Sequence, residues 1–153
     1  MKNLGTTMLW SVGTMLTTII HHFYGAYIYD EPFRLHVAIV AIPVIVIILF
    51  TYFGQRWFKN HAWQKGLRVA FIGTTLLFSV AAIGIYEGGY NHLVKDLLFF
   101  AGVPTEFLDR IYPAVYELPN DFFFEFTGVV QFLTGIACGF SLLRRSRSTT
   151  VQV

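Results

Sequence analysis

Apolar positions in this chain fall into four long blocks separated by short polar ones. Val37 to Phe53 and Val69 to Tyr86 contain no charged residue, and Phe126 to Leu143 is broken only by the uncharged Thr127, Gln131, Thr134 and Ser141. Leu4 to Tyr29 is the remaining block, with the adjacent pair His21–His22 near its end. Each block approaches the ~20 residues that a helix needs to cross ~30 Å of hydrocarbon. None alternates with period two, as the strands of a membrane barrel would. The pattern predicts an all-α, integral-membrane four-helix bundle, with one transmembrane domain over residues 1–145 and a disordered cytoplasmic tail over 146–153.

The connections refine this picture. Pro32 marks a tight turn between the first two helices, because the residue before a proline is driven away from helical geometry. About 15 residues then link helices two and three, carrying Trp57 and Trp63, which suit a membrane interface. The stretch Glu87 to Asn120 is the longest connection. Leu93, Leu97 and Phe100 form an apolar stripe at helical spacing, with Lys95 and Asp96 facing elsewhere. Asn91 to Ala101 therefore reads as a short interfacial helical segment between helices three and four, or as helix three continuing past a bend at Gly88–Gly89, with Gly102 as the stop. Pro104 to Tyr112 can form one more short helix. Pro43 is expected to kink helix two. Gly128, Gly135 and Gly139 share a face of helix four with Asp121 and Glu125. Small residues admit a neighbouring backbone, so this face points into the bundle.

Charge sets the orientation. Lys2, the group Arg56, Lys59, Lys65 and Arg68, and the group Arg144, Arg145 and Arg147 all fall on one side of a four-span chain. The positive-inside rule makes that side, with both termini, cytoplasmic. All 9 carboxylates and four of the histidines then face the other way, toward the periplasm of a bacterial inner membrane or the exterior. The single cysteine, Cys138, excludes intrachain disulfides and multi-thiolate metal sites. No phosphate-binding glycine loop, serine nucleophile motif or basic stripe is present, so nucleic acid is not an expected partner.

The candidate chemistry gathers at the acidic end. Glu125 lies among Phe122, Phe123, Phe124 and Phe126, where a lone carboxylate is costly unless protonated, paired or metal-bound. His21 and His22 point roughly 100° apart on a helix, and His22 is slightly preferred as the inward one. If Gly88 and Gly89 bend the chain, Glu87 and His92 converge on one point. His36 opens helix two near that pair. The expected metal ligands are thus His21, His22, His36, Glu87, His92 and Glu125. Glu125, Glu87 and Asp121 are the candidate catalytic groups, although Asp121 also suits a helix N-terminus. Arg34, Asn91 and Lys95 would balance charge or hold an anion.

Nitrogen and oxygen donors without thiolate suit a divalent zinc, iron or manganese ion. The favoured function is a metal-dependent oxidoreductase or hydrolase acting on a lipid-like substrate. One alternative is metal-free acid–base chemistry of the isomerase or cyclase type on a lipid or isoprenoid. Another is a non-enzymatic haem b-binding or structural subunit. Membrane lipid, a second copy of the chain or a larger membrane complex are the expected partners.

Overall fold

A computed structural model describes residues 2–112 and 118–150. Among these residues the fold is helical throughout, without strands. Helix α1 spans Lys2–Ile28, and a 3-10 turn, Pro32–Arg34, leads into α2, Leu35–Trp57. Helix α3, His61–Thr74, passes directly into a wider, π-type helical segment, Thr75–Val94, and then into α4, Lys95–Phe100. A short α5, Thr105–Ile111, precedes α6, Phe122–Thr150.

Three of these rods are long and apolar enough to cross a membrane: Pro32–Trp57, His61–Phe100 and Phe122–Arg144. Their outward faces carry exposed Ile39, Val46, Phe50, Leu77, Leu133 and Phe140, among other large apolar side chains. The buried side of α1 is the reverse, with Thr7, Ser11, Thr14, Thr18 and His21 recurring every three or four residues. Polar groups inside and apolar groups outside invert the arrangement expected in water, and such an outer surface suits lipid.

Hydrogen bonds tie α1 to its neighbours. His21 Nδ1 pairs with Thr127 Oγ1 at 2.9 Å, and Thr7 Oγ1 pairs with Ser141 Oγ at 2.8 Å. The two pairs lie about four helical turns apart on each helix, so α1 and α6 run antiparallel in register. Between them, Ser11 Oγ bonds Ser79 Oγ of the π segment at 2.6 Å. Below this seam, Leu4, Met15, Val44, Ile48, Tyr52 and Phe71 form an apolar core shared by α1, α2 and α3.

Several expectations change here. The link between helices two and three shrinks to residues 58–60, because Asn60 caps α3 by accepting from the backbone N–H groups of Ala62 at 2.9 Å and Trp63 at 3.3 Å. Asn91–Ala101 is not a separate interfacial segment, since Asn91 lies within the π segment and the rod is unbroken to Phe100. Gly102, at φ 79°, stops it as expected. The chain does not bend at Gly88–Gly89. Gly88 is where α6 presses closest: a Cβ there would lie 2.4 Å from Phe132 N and 2.7 Å from Gly128 O. Gly84 similarly faces Gly135, where a Cβ on Gly84 would meet the Gly135 Cα at 2.8 Å. The small-residue face of α6 therefore does point inward. Helix α2 continues through Pro43. Helix α6 is helical as far as Thr150, overlapping the first part of the expected tail, and residues 151–153 lie outside the described residues.

Candidate metal centre

The π winding creates the central geometry. Its backbone bonds run from i to i+5, so residues five apart fall on the same face. Glu87 and His92 have that separation, and His92 Nε2 comes within 3.9 Å of Glu87 Oε1. The buried positions along the segment are Thr75, Ser79, Gly84, Gly88, Gly89, Asn91 and His92. The helix C-terminal to residue 92 brings Lys95 to the same interior, where it is 1% exposed. Lys95 thus faces inward, contrary to the stripe reading.

Helix α1 supplies two more imidazoles. Both His21 and His22 are buried, so the choice between them does not arise. His22 Nε2 lies 3.7 Å from Glu87 Oε1. One donor atom from each of His21, His22 and Glu87 can be chosen so that all lie within 4.8 Å of one another. The His21 ring meets the His22 ring edge-on at a centroid distance of 5.0 Å and the His92 ring at 4.6 Å. Phe124 stacks on His21 at 4.1 Å.

Hydrogen bonds hold the far side of His21, His92 and Glu87, but not of His22. His92 Nδ1 and Glu125 Oε2 are 2.5 Å apart, and Lys95 Nζ donates to Glu125 Oε1 at 3.2 Å. His21 Nδ1 is engaged by Thr127. Asn91 Nδ2 donates to Glu87 Oε2 at 2.9 Å. By contrast His21 Nε2, His92 Nε2 and both ring nitrogens of His22 are buried without a hydrogen-bond partner. For His21, His92 and Glu87 the tethered far side and the untethered near side are the arrangement in which outer partners orient metal ligands. Tetrahedral donors at the usual zinc distance stand about 3.3 Å apart, so the 3.7 Å and 3.9 Å contacts to Glu87, and the spread of up to 4.8 Å among the His21, His22 and Glu87 donors, would all have to contract around an ion.

Other expected members stand apart. His36 is exposed and gives its Nδ1 hydrogen bond to the Phe33 carbonyl. It does not join the cluster because the turn at Pro32 places it on the outer face of α2. Glu125 reaches His92 from the side opposite Glu87, as a partner of the imidazole. Asp121 is taken up by the start of α6: its Oδ1 accepts from Phe124 N–H at 2.8 Å, and its Oδ2 accepts from Tyr24 Oη–H at 3.0 Å. Arg34 pairs with Glu31, Nη2 to Oε2 at 2.5 Å, and its guanidinium lies over the Tyr29 and Phe124 rings.

The sequence reading missed Thr127, Gln131 and Thr18. Gln131 and Thr18 are fully buried, with unpartnered side-chain atoms. Their signal was present, since Thr127 and Gln131 interrupt an apolar helix one turn apart, and α1 repeats Ser or Thr on one face. Outside the rods, α5 is pinned by Tyr90 Oη–H donating to the Ile111 carbonyl at 2.9 Å and Tyr112 Oη–H donating to the Tyr90 carbonyl at 3.1 Å. Burial, with Tyr90 and Asp96 nearby, pushes the Tyr112 phenol up to about 12.

No family model matches this chain. No solved structure matches it either. Over 86 residues, 56% of its length, the chain is 27% identical to cytochrome bo(3) ubiquinol oxidase subunit 3 of Pseudomonas aeruginosa. That stretch covers 41% of the relative, so the match spans less than half of that subunit.

Proposed function

We propose that this chain is an integral-membrane metal-binding protein, with one divalent zinc, iron or manganese ion held by His21, His22, His92 and Glu87. The observation that carries the reading is the set of buried imidazole nitrogens without partners around Glu87 Oε1. Leaving such nitrogens unpaired in a low-dielectric interior costs about 1–3 kcal/mol each. A shared cation removes that cost at a stroke and neutralises Glu87. Three imidazoles and one carboxylate suit zinc or iron best.

In this reading α1 is a fourth crossing. Its length is sufficient, and its polar face is shielded by α6 and the π segment. Four spans put Lys2, the Arg56–Arg68 group and Arg144 on the cytoplasmic side, and the metal centre toward the periplasm of a bacterial inner membrane. A bound ion there would supply Lewis-acid or redox chemistry. Glu125, Lys95 and Asn91 would fix the ligands and balance their charge. A metal-dependent reaction on a lipid-like substrate is the activity this supports best. The close stack of Phe124, His21 and His92 favours a bare ion over a haem macrocycle, which needs an open slot between its axial imidazoles.

Metal analysis of the purified protein, with an optical spectrum, tests the proposal. One zinc, iron or manganese per chain, lost in His22→Ala and Glu87→Gln, is the expected result. Metal-free protein that stays metal-free after incubation with each of the three ions would overturn it.

A second reading rests on the partial similarity to an oxidase subunit: the chain is a non-catalytic member of a membrane redox complex. Mild solubilisation followed by native gel electrophoresis separates the two. A larger assembly with a Soret band favours the subunit, and migration alone or as a small homo-oligomer favours the stand-alone protein.

A further inference from the structure

The end of the α3 rod away from the histidine cluster carries a cleft of opposite chemistry. Tyr52, Gln55 and Arg56 of α2 line it with Gln64 and Arg68 of α3, and Leu4 of α1 adds an apolar wall. Both arginines are exposed, so a ligand can reach them from outside. No carboxylate lines the cleft, and the sequence holds no Asp or Glu between Glu31 and Glu87. Among the described residues neither Arg56 nor Arg68 has an ion-pair partner.

The cleft is built from donors. Arg56 Nη2 donates to Tyr52 Oη at 2.8 Å, with the guanidinium 4.8 Å from the centre of the Tyr52 ring. Tyr52 is only 7% exposed, and its own O–H has no acceptor among the described residues. Gln55 and Gln64 each give one amide N–H to a backbone carbonyl, of Thr51 and Phe58, both at 2.8 Å, which leaves each a second N–H. Arg68 makes no hydrogen bond among the described residues. Two guanidiniums on neighbouring helices repel each other and reject a cation. An oxyanion offsets both charges. A carboxylate offers two oxygens, whereas a phosphate offers enough to meet a fork from each arginine and the tyrosine hydroxyl. The volume of ≈ 120 Å³ matches about four waters at ~30 Å³ each, which is room for one such group and not for a nucleotide. Exposed Trp57, Phe58 and Trp63 surround the same turn, as aromatic side chains do at the level of lipid headgroups. We infer that this cleft binds one phosphate group between Arg56 and Arg68, with the Tyr52 hydroxyl as a third donor. A lipid headgroup and free phosphate share that chemistry. The inference is independent of the metal reading.

Native mass spectrometry of the full-length protein in phosphate-free detergent buffer tests it. The probes are dioleoylphosphatidate against dioleoylglycerol at equal concentration and, separately, inorganic phosphate. One phosphatidate per chain, retained about ten-fold (~1.4 kcal/mol) over the diacylglycerol, is expected. Retention of the lipid alone assigns a headgroup, and a bound inorganic phosphate assigns the free anion. Arg68→Gln should lower binding about ten-fold (~1.4 kcal/mol). Lys65→Gln, which removes an exposed cation of α3 outside the cleft, should leave binding unchanged. Native protein that neither prefers phosphatidate nor binds inorganic phosphate would overturn the inference. So would full binding in Arg68→Gln, or an equal loss in Lys65→Gln, which would assign a diffuse basic surface instead.

Discussion

Glu125 and Glu87 flank opposite edges of one imidazole: His92 Nδ1 is 2.5 Å from Glu125 Oε2, and His92 Nε2 is 3.9 Å from Glu87 Oε1. The first carboxylate comes from α6 and the second from the π segment. Only the Glu125 contact is a hydrogen bond, so Glu125 orients the ring while His92 Nε2 stays unpartnered beside Glu87. Deleting one acid should therefore have a different effect from deleting the other.

Glu87→Gln removes a proposed ligand, and metal binding should be lost. Glu125→Gln leaves every ligand in place but loosens His92. Metal affinity should fall by about 10- to 100-fold, the usual cost of removing an outer partner. Competition with a chromophoric chelator measures both variants. Equal loss in the two would show that Glu125 is itself a ligand.

Gly128 lies against the His92 ring, and a Cβ there would come within 2.2 Å of His92 Cγ. Gly128→Ala should push the ring out of place and lower stability by about 1–3 kcal/mol. Thermal unfolding and metal content should change together. Gly139→Ala is the control, because its nearest contact would be an ordinary 3.5 Å to Val80.

Gln131 buries an amide with neither end hydrogen-bonded. Replacing an unsatisfied polar group with an apolar one of similar size removes a cost of about 1–3 kcal/mol. Gln131→Leu should raise the unfolding temperature and leave metal content unchanged. A less stable Gln131→Leu would mean that the amide is satisfied in the membrane, for example by internal water.

The Tyr112 phenol, pushed up to about 12, should remain protonated well above the usual tyrosine range. Unfolding would return it to about 10. A raised folded value contributes stability that is complete below pH 10 and disappears as pH rises through 12. Tyr112→Phe should remove that part of the alkaline sensitivity, measured as the difference in unfolding temperature between pH 9 and pH 11.

Three of the four apolar blocks mark rods long and apolar enough to cross a membrane, because covering ~30 Å of hydrocarbon leaves little freedom in length; the first block gives a helix but not one of those three. Of the singled-out residues, the structure brings His21, His22, Glu87 and His92 close to one another. Their mode of meeting was not legible. Two adjacent glycines read equally well as a hinge or as a contact point, and only the backbone of α6 against Gly88 decides it. His36 was misplaced because nearness in sequence across a tight turn says little about which side of a helix a ring occupies.

The file of hydroxyls and imidazole along α1 also bears on biogenesis. A helix with Thr7, Ser11, Thr14, Thr18 and His21 on one flank partitions poorly into oil by itself. The more greasy later segments have no such handicap. In the four-span reading proposed above, α1 would settle only once those segments are there to receive it, its insertion depending on theirs.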